Sequence, residues 1–200
     1  ANIAVQPTHR RRGVMTRMMH HQIQDIHERG EPLAALFASE SIIYGRFGYG
    51  IGSLHERWMI ERQYNGYARP YESRGRIVFV DAVDITKEFP EVFRRSTMDR
   101  PGVFQRAFHQ WERDSQALEH RQGGPGGLFY AAYEDAGRVD GYVTYRTRGN
   151  TLVVNELMAA TKEANTALWR FCFEMDLINC TEAVKRPVDD PLPWLLADPR

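Results

Sequence analysis

Met15, Met18, Met19, Ile23 and Ile26 recur at helical spacing between Gly13 and about Arg29. That spacing predicts an amphipathic helix with one apolar stripe, and a methionine-rich stripe of this kind reads as core. Gly30 and Pro32 stop it. On either side the pattern changes. Residues 3–5 (Ile-Ala-Val) and 33–38 (Leu-Ala-Ala-Leu-Phe-Ala) are short apolar stretches; the first reads as a strand and the second as a strand buried on both faces. Strand, helix and strand make a βαβ unit, and its first loop lies where ligands bind in such sheets. A short helix is expected from Ser39 or Glu40 to about Phe47, with an acidic residue in its first turn. Glycines at 45, 48, 50 and 52 interrupt the pattern. Residues 51–60 then read as a strand with Leu54, Trp58 and Ile60 on one face. Residues 64–75 are polar and turn-rich, the best candidate for a linker.

The pattern restarts after that. A strand is predicted over 76–83, then a helix capped by Asp84 or Thr86 and running to about 98. A second helix over 104–118 turns Phe104, Phe108 and Trp111 inward. The glycine-rich stretch 123–127 reads as a flexible connector. Strands follow at 128–133, 141–148 and 151–158, the first two joined by the turn Glu134-Asp-Ala-Gly137. A helix over 163–175 buries Leu168, Phe171, Cys172 and Met175, and a last strand covers 179–184. Trp111, Trp169 and Trp194 read as packing aromatics. The order is β-α-α-β-β-β-α-β, and domains are expected at 1–70 and 71–200. The chain opens at Ala1 on a segment that should lie within a sheet, so it is expected to be part of a longer protein.

Charge narrows the function classes. The chain has 26 basic and 26 acidic residues in 200 and a pI near 7.3, so no overall field favours nucleic acid. The run Thr8-His-Arg-Arg-Arg12 is too short for a nucleic-acid stripe. Cys172 and Cys180 make no disulfide framework and suit a reducing compartment, so a cytoplasmic location is expected. No apolar run approaches a membrane span, and no membrane partner is expected. His20, His21 and His27 lack paired metal-ligand spacing, so no metal site is expected. There is no Gly-x-Ser-x-Gly elbow.

The candidate chemistry sits at the first loop, Gln6-Pro-Thr-His-Arg-Arg-Arg-Gly13. The first amides of a helix lack partners within it and carry partial positive charge. Gly13 lets the backbone approach a ligand closely, and Arg10, Arg11 and Arg12 add full charges. A phosphate or pyrophosphate fits there; a solvated basic turn before an ordinary helix is the other reading. The matching turn of the second half, residues 159–165, has no glycine and no arginine cluster.

Val5-x-Pro7-x-x-Arg10-Arg-Arg-Gly13-Val-Met15 resembles the coenzyme-A pyrophosphate loop of GNAT-superfamily N-acetyltransferases, with Met15 departing from the usual small residue. Ala38-Ser-Glu-Ser-Ile-Ile-Tyr-Gly-Arg-Phe-Gly-Tyr-Gly50 and Asp190-Pro-Leu-Pro-Trp-Leu-Leu-Ala-Asp198 resemble the Eis (enhanced intracellular survival) branch. The resemblance implies an α/β fold of α+β type, with part of an acetyl-CoA-binding GNAT domain followed by a second GNAT-like domain with a mixed sheet. It implies that Ile3, Ala4 and Val5 receive the pantetheine arm. Arg10, Arg11, Arg12, Gly13, Val14, Met15 and Thr16 would hold the pyrophosphate, and Ser39 and Glu40 would line the cofactor. Tyr44 falls on the family's general acid. A free tyrosine titrates at about 10, so such a phenol holds a proton for the leaving thiolate at neutral pH; Tyr44 as a core aromatic is the alternative. Arg46 would orient Tyr44 or pair on the surface.

The family's base is a C-terminal carboxylate on a sterol-carrier-like domain, and Arg200 is not that terminus. Phe37 stands where relatives can carry a polar residue near the pocket. The implied reaction is direct acetyl transfer from acetyl-CoA, as co-substrate, to a primary amine in a ternary complex. The acceptor would be an aminoglycoside, a polyamine-like amine or a lysine, and the enzyme a homo-oligomer, in the family a hexamer. A non-catalytic acyl-CoA-binding sensor or scaffold is the competing reading.

Overall fold

The computed structural model describes residues 4–121 and 127–199. The chain divides into two compact units, Ala1–Ser53 and Leu54–Arg200.

The first unit is built on α1 (Val14–Glu28) and the short α2 (Ser41–Tyr44), which continues as a 3-10 turn over Gly45–Phe47. The predicted stripe of α1 faces inward: Met19 is buried and Met15, Ile23 and Ile26 are half-buried, while Met18 lies exposed at its margin. His20 meets Phe47 edge-on at 5.5 Å between centroids, which seats the 3-10 turn against α1.

The strands expected at 3–5 and 33–38 are not formed by the described residues. Ile3 lies outside them, and Ala4, Val5 and 33–38 have irregular backbone. Leu33 and Phe37 are 74% and 88% exposed. The reason is that a strand exists only as part of a ladder, which satisfies its N–H and C=O groups. No ladder forms among the described residues of this unit. An apolar run records what can be buried, not whether a partner strand is beside it.

The second unit is one sheet with helices on both faces. Its elements are β1 (Glu56–Glu61), β2 (Arg76–Phe79), α3 (Ala82–Lys87), α4 (Phe89–Thr97), α5 (Phe108–Arg121), β3 (Phe129–Asp135), β4 (Arg138–Arg148), β5 (Thr151–Ala159), α6 (Lys162–Phe173) and β6 (Cys180–Arg186). The strand order is β1-β6-β5-β4-β3-β2. All neighbours are antiparallel except β5 and β6, which are parallel and joined through α6. β1 pairs with β6 and so belongs to this unit, N-terminal to the residue-70 boundary drawn from composition.

Strand alternation divides the core in two. Ala131, Tyr133, Val143, Leu152 and Val154 face α6, with Leu168, Trp169 and Cys172. Tyr130, Ala132 and Tyr142 face α3, α4 and α5, with Ile85, Phe89, Phe93 and Trp111. A bulge at Asn155 shifts the β4–β5 register. It returns Leu157 to the face of Val154 and turns Glu156 toward Tyr142.

The helix expected over 84–98 is two helices. Asp81, not Asp84 or Thr86, is the cap: its Oδ1 accepts from the N–H of Val83 (2.9 Å) and Asp84 (3.2 Å), and Asp84 accepts from the N–H of Asp81 in return. Pro90 lies at the start of α4. It has no N–H for the carbonyl of residue 86, and its ring crowds that carbonyl, so α3 ends where α4 begins. The next helix also starts later than expected. Phe104 and Phe108 are exposed, and only Trp111 turns inward. The inward space is covered by Arg106, whose guanidinium lies 4.6 Å from the Phe93 ring centre and 4.7 Å from that of Trp111. Trp194, expected as packing, is 87% exposed.

Residues 64–75, read as a linker, strap this unit instead. The Tyr67 hydroxyl donates to the Thr166 carbonyl at 2.7 Å, and the Tyr71 hydroxyl donates to Glu163 Oε1 at 2.9 Å. The glycine-rich stretch 123–127 lies outside the described residues except for Gly127.

Gly141 sets how closely α6 approaches β4. A Cβ there would stand 2.8 Å from Leu168 Cδ1, 3.0 Å from Ala164 Cβ and 3.1 Å from the Met158 carbonyl. Gly141→Val is therefore expected to destabilise this unit by about 1–3 kcal/mol through overpacking. Urea denaturation followed by tryptophan fluorescence measures it.

Candidate functional site

The basic loop is positioned by a 3-10 turn over Pro7–His9, which begins on the fixed φ of proline. Arg10 then extends the chain (φ −67, ψ 160). Arg11 adopts φ 59 and Gly13 φ 71, both left-handed. For arginine that conformation costs about 1–2 kcal/mol; for glycine it is nearly free. A left-handed Gly13 before the right-handed Val14 turns successive N–H groups toward one side, an anion-receiving concavity.

The start of α1 is open. Gly13 is its N-cap and supplies no side-chain cap. Arg10, Arg11 and Arg12 are exposed. Among the described residues no carboxylate pairs with them. Arg17, four residues into the register, turns back and donates from Nη1 to the Arg12 carbonyl at 3.4 Å. Sequence reading passed over Arg17, although a basic residue one turn into a helix can reach the loop that precedes it. Val14, Met15 and Thr16 form the first turn and are half-buried.

The start of α6 in the second unit shows the opposite arrangement. There Thr161 caps the helix, its Oγ1 accepting from the Ala164 N–H at 3.1 Å. Glu163 puts a negative charge in the first turn. The two helix starts differ as anion sites: one is uncapped and lined by arginines, the other is capped by Thr161 and sets Glu163 beside Lys162 in its first turn.

Ser39 and Glu40 lead into α2. Glu40 is its N-cap in extended conformation (φ −145, ψ 128) and caps nothing with its side chain. Tyr44 ends the helix half-buried. Its ring packs edge-on against Tyr49 at 6.3 Å, and its hydroxyl lies 3.3 Å from Ser39 Oγ. Arg46 stacks over Phe47 at 5.1 Å. The basic loop and Tyr44 thus lie in the same compact unit, on segments joined through the His20–Phe47 contact.

The second unit has titratable groups that serve its packing. Tyr142 donates to Glu156 at 2.9 Å and is pushed up by burial, and Glu156 also takes a bidentate pair from Arg106. Cys172 is fully buried, which pushes its thiol up to about 12 and keeps it protonated. A groove of about 650 Å³ is lined by Tyr71, Ile77, Ala167, Arg170 and Phe171, and none of the sequence-predicted site residues lies on it. Among the described residues no cluster of three His, Cys, Asp or Glu side chains could hold a metal, and no helix is long and apolar enough to cross a membrane.

Comparison with known proteins locates both units. Models described as acetyltransferase (GNAT) domains match residues 1–52 and 102–200. An uncharacterized N-acetyltransferase of Streptomyces avermitilis is 35% identical over 214 residues, covering 100% of this chain and 51% of that protein. The N-acetyltransferase Eis of Mycobacterium tuberculosis is 32% identical over 205 residues, covering 99% of this chain and 50% of its own length. The crystal structure of Eis1 from Mycobacterium abscessus superposes with a TM-score of 0.76 at 33% identity, over 99% of this chain and 50% of that one. The chain therefore spans about half the length of the curated relatives it matches.

Proposed function

The chain belongs to the GNAT acetyltransferase family, with Eis N-acetyltransferases among its relatives, and we propose that it supplies the acyl-CoA site and the general acid of an enzyme that moves an acetyl group from acetyl-CoA to a primary amine. The observation that carries the reading is the uncapped, arginine-lined start of α1. A pyrophosphate fits the groups present: first-turn amides of α1, the left-handed Gly13, and three guanidiniums with no acidic partner among the described residues. Ala4 and Val5 precede this loop in irregular backbone, and in this reading their peptide groups receive the pantetheine arm. Ser39 and Glu40 line the other side in this reading.

Acetyl-CoA supplies a thioester, and the chain's residues then have two tasks. One is to hold it by its phosphates at Arg10–Arg12 and the start of α1. The other is to give the leaving sulfur a proton from Tyr44 as the neutral amine attacks. No covalent enzyme intermediate is required, and the buried Cys172 offers no alternative nucleophile. The acceptors in this reading are aminoglycosides, polyamines or lysine side chains, and the working form is a homo-oligomer.

The test is thiol release with acetyl-CoA and spermidine on the full-length protein. Tyr44→Phe is expected to lower kcat by about 10²–10⁴-fold, with KM for acetyl-CoA changed little. Full turnover by Tyr44→Phe would remove the acid assignment and favour a binding module. A wild-type protein that acetylates no primary amine would end the acetyltransferase reading.

A further inference from the structure

Tyr44 is held at two points. Its ring meets Tyr49 edge-on at 6.3 Å, and the Tyr49 N–H donates to the Tyr44 carbonyl at 3.4 Å. Its hydroxyl lies 3.3 Å from Ser39 Oγ, five residues back and just before the helix that carries it. A phenol pinned only at its ring keeps a rotating O–H. One whose oxygen is also engaged has the directions open to its proton restricted. Either oxygen of this pair can donate, and the two cases differ chemically. If Tyr44 donates to Ser39, its one proton points away from any other acceptor. If Ser39 donates to the phenolic oxygen, the Tyr44 proton stays free to face the leaving sulfur.

We propose that Ser39 is a positioning residue for Tyr44, donating to the phenolic oxygen so that the acid's proton is aimed and the phenolate left behind is stabilised. The inference rests on Tyr44 being the general acid. In the transfer step the amine nitrogen forms its bond to the acetyl carbon and the carbon–sulfur bond breaks. The electron pair leaves on sulfur, which takes the phenolic proton of Tyr44. Water takes the extra proton from the new amide nitrogen and later returns one to the phenolate. Between those events the Ser39 hydroxyl faces an anion, where a hydrogen bond is stronger than to a neutral phenol. The contact therefore strengthens during the reaction, which is what raises kcat rather than binding.

The experiment measures spermidine acetylation by the full-length protein as wild type, Ser39→Ala, Ser39→Thr, Tyr44→Phe and the Ser39→Ala, Tyr44→Phe double variant. Ser39→Ala is expected to lower kcat about tenfold, with KM for acetyl-CoA within twofold, and Ser39→Thr to recover most of that loss. In the Tyr44→Phe background Ser39→Ala is expected to cost nothing further, since its target is gone. A raised KM for acetyl-CoA with unchanged kcat would leave Ser39 only its place along the cofactor, with no part in positioning Tyr44, and overturn the proposal. So would an equal loss in both backgrounds. If Tyr44→Phe collapses turnover while Ser39→Ala is silent, the positioning role alone fails. If Tyr44→Phe keeps full turnover, the acid reading fails and takes this inference with it.

Discussion

A double Arg11→Glu, Arg12→Glu variant is expected to weaken acetyl-CoA binding by roughly 10³-fold or more, measured by calorimetry on the full-length protein. A charge-assisted hydrogen bond contributes about 1.5–3 kcal/mol, and two are removed. The reversal also places two carboxylates against a dianionic pyrophosphate. Solvent screening reduces the gain, because the loop is exposed, yet two lost contacts alone reach about 10²–10⁴-fold. The variant keeps the backbone comparison fair: glutamate at position 11 must adopt the same left-handed φ of 59 that arginine does. A parallel Lys162→Glu variant at the start of α6 is expected to leave binding unchanged, since Thr161 already caps that helix. Equal affinity of wild type and double variant would move the pyrophosphate away from this loop.

Much of the architecture was legible because its causes are local. Helix α1 follows from the spacing of Met15, Met19, Ile23 and Ile26, and α6 from Leu168 and Cys172. Strands β3, β4 and β5 follow from alternation between two faces and the turn at Gly137. The break between α3 and α4 was also written in the chain, in Pro90, but a reading based on apolar period passes over it. What stayed hidden depends on partners distant in sequence. Residues 33–38 carry the composition of a buried strand and lie exposed, because pairing is decided elsewhere. Arg106 replaces Phe104 and Phe108 as the cover of Trp111 because a guanidinium can stack on rings and still reach Glu156.

The same division holds at the candidate site. Glycine before a helix and three arginines are visible as letters. The left-handed backbone at Arg11 is not, since sequence offers no reason to expect strain at a non-glycine residue. The Ser39–Tyr44 contact spans five residues, one more than helix spacing allows, and needs the extended Glu40 between them.

Removing the Asp190 carboxylate is expected to destabilise the second unit by about 3–5 kcal/mol. Arg186 and Asp190 are 7% and 1% exposed at their side chains and form an ion pair. Arg186 also donates to the Leu157 carbonyl at 3.0 Å and lies 5.3 Å from the Trp169 ring and 6.0 Å from that of Trp58. Asp190 in turn accepts from the Leu192 N–H at 3.0 Å. This pair stands where the sheet would otherwise part. The parallel β5–β6 pairing covers Thr151–Val154 against Cys180–Ala183 and then stops, and Arg186 bridges onward to β5 through Leu157. Arg186 thus ties β6 to β5 beyond their last backbone pairing, beside α6 with its Thr161 cap. Asp190→Ala leaves a buried, unpaired guanidinium, and the midpoint of thermal unfolding should fall by roughly 10 °C. A paired Arg186→Met, Asp190→Leu variant removes both charges together and is expected to recover most of that loss, because the penalty lies in the uncompensated cation. Calorimetric melts of the three proteins decide it: an Asp190→Ala midpoint within about 2 °C of wild type, less than a 1 kcal/mol change would produce, would show that the pair does not hold these strands.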